Sequence, residues 1–292
     1  MDITLRELEC FTAAAEELSF TRGAEKLGLA QPPLSRHIRM LEEKVGATLF
    51  ERRGRRVTLT AAGALFHGQT RSLLPALARS AEAARQHATG ANETLRLGFV
   101  SAVLGPELMD TLQRFRKQHP TVQLMVEDSP PSVQMELLRR GLLEGGFVGL
   151  RPQGSSPGIV FTPWRKEPLA VFVPFDHPLA RQESVPLAQL RNETFVAVSS
   201  EAAPAFSAFV RRICGDQGFR PRIVLEADRA QAVAVMVTAG AGIALLPVSL
   251  ARVVGDAVRM IPLRKAPLLT HVFARAAGPS SPAMSRFLTF IQ

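Results

Sequence analysis

Two groups of residues in this chain have the types and spacing to bind a partner. The first lies within residues 19–59, where Gln31, Pro32, Pro33, Ser35, Arg36 and Arg39 precede the run Arg52-Arg53-Gly54-Arg55-Arg56. Arginine can pair with guanine through two hydrogen bonds, and glutamine can do the same with adenine. Arginines flanking one glycine make a poor core turn and a good clamp for phosphates. The second group is made of hydroxyls. Ser101, Ser129, Ser199 and Ser200 each follow a stretch that reads as a β-strand, and Pro204 and Phe206 lie close by in sequence. Hydroxyls at strand ends, next to helix N-termini, suit a small carboxylate, with Pro204 and Phe206 as an apolar wall. Chemistry of other kinds is not supported. His37, His67, His87, His119, His177 and His271 are scattered without metal-ligand spacing. No nucleophile elbow or phosphate loop occurs. We therefore expect no enzyme activity and no cofactor.

The first group needs helices to present it. Leu34, Ile38, Leu41 and Val45 recur at helical intervals and predict one buried face. Pro32, Arg36 and Arg39 then point the other way, with Ser35 beside them. Pro32 and Pro33 fall in the first turn, where a missing N–H costs nothing. Ser19 caps a preceding helix that ends at Gly28. Residues 5–18 form a supporting helix with Leu5, Leu8, Phe11, Ala15 and Leu18 inward. The arginine run sits between apolar residues 49–50 and 57–59, which predicts a hairpin. Thr58 or Thr60 caps a long helix over residues 61–87. Its stripe of Ala62, Phe66, Leu73, Leu77, Ala81 and Ala84 is long enough to pair with another helix, and Pro75 should kink it.

After a hinge composition at residues 89–92 the pattern changes to strands alternating with helices, the mark of parallel α/β units. Strands are expected at 95–99, 122–126, 147–150, 169–173, 194–198, 223–226, 243–246, 257–261 and 268–274. Helices are expected at 105–118, 133–141, 205–216, 230–239 and 280–291. Ligands in such folds bind beyond the C-terminal strand ends, which is where the serines fall.

The chain has 292 residues, 46% of them hydrophobic, and a formal net charge of +9. That length supports two or three folded units. The positive balance fits a polyanionic partner such as double-stranded DNA. Two distant cysteines, Cys10 and Cys214, give neither a redox pair nor a zinc cluster and suit a reducing compartment. The charged N-terminus lacks the apolar core of a secretory signal. Residues 231–251 carry no charge, but Gly240, Gly242 and Pro247 break them up, so we expect no membrane span and a cytoplasmic protein.

The residues Leu8, Phe11, Ser19-Phe20-Thr21, Ala24, Leu27, Gln31-Pro32, Leu34-Ser35, Ile38, Leu41-Glu42, Gly46, Leu49-Phe50, Arg52, Leu59-Thr60 and Gly63 resemble the winged helix-turn-helix of LysR-type transcriptional regulators. The later runs His177-Pro178-Leu179-Ala180 and 242–247 resemble the same family more loosely. Gly23 departs from it, since alanine is usual there. The resemblance implies an α/β protein with an N-terminal winged helix-turn-helix, a long linker helix and a C-terminal two-lobed, periplasmic-binding-protein-like effector domain. It places the DNA-binding domain at 1–59, the dimerising linker at 60–90 and the effector domain at 91–292. Lobe one would be 92–161 plus 266–292, and lobe two 162–265. It further implies a homodimer or homotetramer on an interrupted inverted repeat, controlled by a small-molecule effector in the cleft between lobes. A solute-binding protein without DNA function is the alternative. It would not need Arg52–Arg56.

Overall fold

The structure, a computed structural model, describes residues 2–53, 56–71, 73–89, 93–255 and 258–291. The chain divides into two compact units, Met1–Thr89 with Arg139–Gly141, and Gly90–Leu138 with Leu142–Gln292.

The first unit runs α1 (Leu5–Glu17), α2 (Phe20–Lys26), α3 (Gln31–Val45), β1 (Phe50–Arg53), β2 (Arg56–Leu59), α4 (Ala61–Thr70) and α5 (Leu73–Thr89). Side chains cap most of these starts. Thr4 and Glu7 form a reciprocal capping box on α1, Ser19 accepts from Arg22 N–H, and Thr60 accepts from Gly63 N–H. Leu34, Ile38 and Leu41 are buried against Phe11, Phe20, Leu49 and Phe50. The Phe20 and Phe50 rings meet edge-on at 5.1 Å. The single helix expected over 61–87 is instead two. Within one continuous helix Pro75 would leave the Arg71 carbonyl without a donor and press its ring against it. Here α4 ends at Thr70 and Pro75 lies in the first turn of α5, where its lack of an N–H is harmless.

The second unit begins with β3 (Glu93–Phe99), α6 (Pro106–Gln118), β4 (Val122–Asp128), α7 (Pro131–Arg139) and β5 (Gly145–Leu150). β6 (Ile159–Val173), β7 (Val185–Pro186), β8 (Thr194–Val198), α8 (Pro204–Asp216), β9 (Arg222–Ala227) and α9 (Ala230–Thr238) follow. The chain closes with β10 (Ala244–Pro247), α10 (Ala251–Val254), β11 (Arg259–Arg264), β12 (Leu268–Ala276) and α11 (Pro282–Leu288). The expected hinge residues 90–92 and Ala257, the expected start of β11, lie outside the described residues.

β3 pairs in parallel with β4 and β5, and β12 runs antiparallel to both β5 and β6. These strands with α6 and α11 enclose a core rich in phenylalanine, including Phe115, Phe147, Phe273 and Phe287. β6 belongs to two sheets. Residues 159–168 pair with β12, and residues 169–173 pair with β10 and β11. Its second half is buried on both faces. Leu169, Val171 and Val173 enter one cluster with α8, while Ala170 and Phe172 enter another with α9. β8 pairs in parallel with β9, and a bridge from Phe195 to Ile243 joins this pair to β10. Two lobes thus share the crossing strand. The exchange of partners at Pro168 and Leu169 lies beyond the expected boundary at 161/162. The sequence reading missed residues 159–168 because Pro163, Pro168 and three charged residues interrupt them. A register shift opposite Trp164 accommodates Pro163, in keeping with proline's confinement to edges and bulges.

Candidate functional site

The N-terminal unit exposes one face of α3. Pro32, Pro33, Arg36 and Arg39 are exposed on it, and Gln31 is half-buried. Among the described residues neither Arg36 nor Arg39 has a hydrogen bond or ion pair. Ser35 departs from the expected outward position and is only 6% exposed. It sits at the edge of the Leu34–Ile38 stripe, where a small side chain can be covered. Its hydroxyl accepts from Gln31 Nε2 at 2.8 Å, so Gln31 and Ser35 form one polar unit within the helix. The helix is fixed at its far end by two carboxylates. Glu42 accepts the N–H groups of Leu49 and Phe50, which sets the start of the hairpin. Buried Glu7 receives Lys44 Nζ at 2.7 Å. Burial pushes the Glu7 carboxyl up, but the bonds from Lys44 and Thr4 outweigh that and hold it below its ordinary value.

The hairpin pairs Arg52 with Val57 and Arg53 with Arg56. Arg52, Arg53 and Arg56 therefore lie on its strands. Arg55 and Gly54 lie outside the described residues, as do the side chains of the other three arginines. On α5, Leu73 and Leu77 are exposed, one turn apart.

In the second unit the serines lie at strand ends as expected. Ser101 follows β3, opens the turn Ser101–Val103 and is 4% exposed. Its hydroxyl has no hydrogen bond among the described residues. Ser129 follows β4, is buried, and donates its backbone N–H to the Phe99 carbonyl, so it lies against the end of β3. Ser199 follows β8, donates its hydroxyl to Asp228 at 2.8 Å and accepts from Ala202 N–H. Ser200 is exposed, as is Pro204 in the first turn of α8. Phe206 has a different setting from the one expected. It lines a mainly apolar pocket inside lobe two with Phe195, Val198, Val210 and Ile223.

Two contacts join the lobes beside these serines. Arg229, at the start of α9, places Nη1 2.6 Å from Asp128 Oδ2 and 3.0 Å from the Asp128 carbonyl oxygen. Ser132 N–H, in the first turn of α7, donates to the Ala202 carbonyl at 3.1 Å. Asp128 adjoins Ser129, and Arg229 adjoins Asp228, the partner of Ser199. The strand ends of the two lobes are thus brought to one place. Gln134 supports it from below. This fully buried amide donates Nε2 to the Ser129 carbonyl at 2.8 Å. Its other end occupies the space above Gly98 and Gly146, which pair across β3 and β5. A Cβ on Gly146 would stand 2.3 Å from Gln134 Oε1.

The sequence reading also missed a buried charged cluster where β6 and β12 cross between lobes. Glu167 Oε1 lies 2.6 Å from His271 Nε2 and 2.8 Å from Arg165 Nη2. Arg165 also binds Glu107 on α6 and stacks over Trp164. Ser249, after β10, donates its N–H to Glu167 and its hydroxyl to the Ala102 carbonyl. Burial pushes the Glu167 carboxyl up. His271, the Ser249 N–H and Arg165 together pull it further down, so it titrates below its ordinary range. Among the described residues no His, Cys, Asp and Glu group could hold a metal ion, and no helix is long and apolar enough to cross a membrane.

Comparison with known proteins matches both units. A family model described as "Bacterial regulatory helix-turn-helix protein, lysR family" matches residues 5–64, and one described as "LysR substrate binding domain" matches residues 88–292. The regulator AlsR of Bacillus subtilis is 36% identical, across 84% of this chain and 80% of its own. BenM of Acinetobacter baylyi is 34% identical, across 92% of this chain and 88% of its own. Among solved structures, full-length CbnR complexed with its target DNA has a TM-score of 0.63 at 25% identity, covering 100% of this chain and 99% of that one.

Proposed function

The chain belongs to the LysR family of transcription regulators, and on that premise we propose how its two units divide the work. It is a DNA-binding regulator with a helix-turn-helix unit and an effector-binding unit. Arg36 and Arg39 read base edges in the major groove, with Pro32, Pro33 and the Gln31–Ser35 pair at the entering end of the helix. Arg52, Arg53, Arg55 and Arg56 hold the phosphate backbone. The chain works as a homodimer or homotetramer in the cytoplasm, pairing through the exposed Leu73 and Leu77 face of α5, and acts by regulation rather than catalysis. CbnR, its relative in fold, is bound to target DNA, which supports DNA as the partner here.

The observation that carries this reading is the contrast between the two faces of α3. One packs Leu34, Ile38 and Leu41 into the core, and the other offers two arginines without a hydrogen bond or ion pair among the described residues. Selection of binding sites from random DNA by the full chain tests it. Enrichment of an interrupted inverted repeat is expected, and failure to enrich any sequence overturns the reading.

For the effector we propose a small carboxylate held by Ser101, Ser129 and Ser199 where the lobes meet, with Ser200 and Pro204 at its border. Ser101, whose hydroxyl has no hydrogen bond among the described residues, lies on a turn packed against α9, and the α9 start has no side-chain cap, which supports an anion. Ser101→Ala and Ser129→Ala should each weaken the response of a reporter promoter to its inducing carboxylate by about tenfold, a lost hydrogen bond to a charged group. An unchanged response in the double variant would remove these serines from the site.

A further inference from the structure

Arg229 is a guanidinium at a helix start, at the meeting point of both lobes, and its partner is a carboxylate of the same chain. Resting on the carboxylate reading above, we infer that Arg229 is the receptor for the effector's carboxylate and that Asp128 occupies it as an internal stand-in until the effector arrives. Three observations support this. The pair is a weak one to keep, because Arg229 is 45% and Asp128 28% exposed, and solvent-exposed ion pairs contribute little. Exchange of one carboxylate for another at the same guanidinium therefore costs little. The fork is also only partly used. Nη1 makes both contacts to Asp128, while Nε and Nη2 have no partner among the described residues, leaving donors for a planar carboxylate. Lastly, the neighbours are suited to a ligand that ends in an anion. Ser129 adjoins Asp128 in sequence, and Ser199 donates its hydroxyl to Asp228, the residue before Arg229. The α9 N-terminus adds favourable potential. The acidic groups nearby, Glu127, Asp128 and Asp228, require that an incoming anion displace one of them. A neutral or cationic ligand would gain nothing from the exchange. Because Asp128 belongs to lobe one and Arg229 to lobe two, the exchange alters how the lobes are held together.

The test uses the full chain, with succinate, benzoate and neutral benzamide as probes in titration calorimetry. Asp128→Asn frees the receptor. It should raise the affinity for at least one of the two carboxylates by about two- to fivefold, the range of an exposed ion pair, and leave benzamide unchanged. Asp128→Asn combined with Arg229→Gln should lose that gain. Hydrogen exchange at the Ser132 amide, whose bond crosses between the lobes, should be faster in Asp128→Asn. The inference is overturned if neither carboxylate binds Asp128→Asn more tightly than wild type, if the double variant keeps the gain, or if Ser132 exchange is unchanged. Loss of carboxylate binding in Ser101→Ala but not in Arg229→Gln would sink this inference and leave the serine site standing. Retention in both would sink both.

Discussion

An ideal Cβ on Gly63 would stand 1.9 Å from the Leu49 carbonyl oxygen. That carbonyl already accepts the Thr60 N–H, so it cannot turn away without breaking the junction between hairpin and α4. Gly63→Ala should destabilise the N-terminal unit by about 1–3 kcal/mol, the range for overpacking a close contact. Gly68, on the same helix, has nothing within 4 Å of its Cβ position. Gly68→Ala should stabilise by about 0.5–1 kcal/mol, because alanine loses less conformational freedom in a helix. Thermal melts of the two variants check this, and equal effects would contradict it. Gly23 lies between these cases. Its Cβ position is 3.0 Å from the Ala14 backbone, so α1 and α2 are packed closely enough here that the alanine usual in relatives would require a small shift.

At the scale of elements, α3 and the hairpin have separable jobs. Arg36 lies on a helix face spaced for base edges. Arg36→Ala should relax preference at one operator position, at a cost of about 1–3 kcal/mol for that base pair. Arg53 lies on a hairpin strand paired with Arg56, and backbone phosphates are the same in every sequence. Arg53→Ala should weaken binding evenly across sequences and reduce the salt dependence by about one released counterion. Binding to matched and mismatched operators over a range of salt concentrations distinguishes the two. A loss of sequence preference in Arg53→Ala would reverse the assignment.

For the whole molecule, the charged cluster at the crossing strands is the point most sensitive to acid. It joins α6, β6, β12 and the turn after β10, and so ties lobe one to lobe two. The Glu167 carboxyl is held below its ordinary value in the folded state. A depressed carboxyl contributes stability above the unfolded value, about 4.3, and that contribution is lost as pH falls from there through the folded value. The melting temperature of the effector unit should therefore drop steeply below about pH 4.3. Glu167→Gln should cost on the order of 3 kcal/mol at neutral pH, since it takes the buried carboxylate from Arg165, which keeps only the exposed Glu107 as an ionic partner, and should flatten the acid limb. Calorimetry from pH 3 to 7, on the order of the range spanning the carboxylate pKa, measures both. An acid limb of equal slope in the variant would assign the sensitivity elsewhere. The net charge of +9 adds repulsion on acidification in both proteins, so the difference between them is the informative quantity.

What the sequence determined by itself is what repeats locally. The Leu34–Ile38–Leu41 spacing, the Ser19 and Thr60 caps, and the alternation of Leu95 and Leu97 in β3 each depend on neighbours within a few residues. Those interactions leave a pattern that can be read without a fold, so both units and the strand-end serines were legible. Even there, Pro75 could be read as an interruption but not as the start of α5, because a kink and a restart begin with the same missing N–H. The tertiary structure alone decided the rest. Arg229 and Asp128 are 101 residues apart, and Ser249 lies 82 residues from Glu167. A lone polar residue has no period, and its partner is fixed by how β6 crosses between sheets. Burial of Ser35, placement of Phe206 in the lobe-two pocket, and seating of Gln134 over paired Gly98 and Gly146 follow for the same reason. Each depends on the side chain or backbone that arrives from another element, and that arrival is a property of the packed chain.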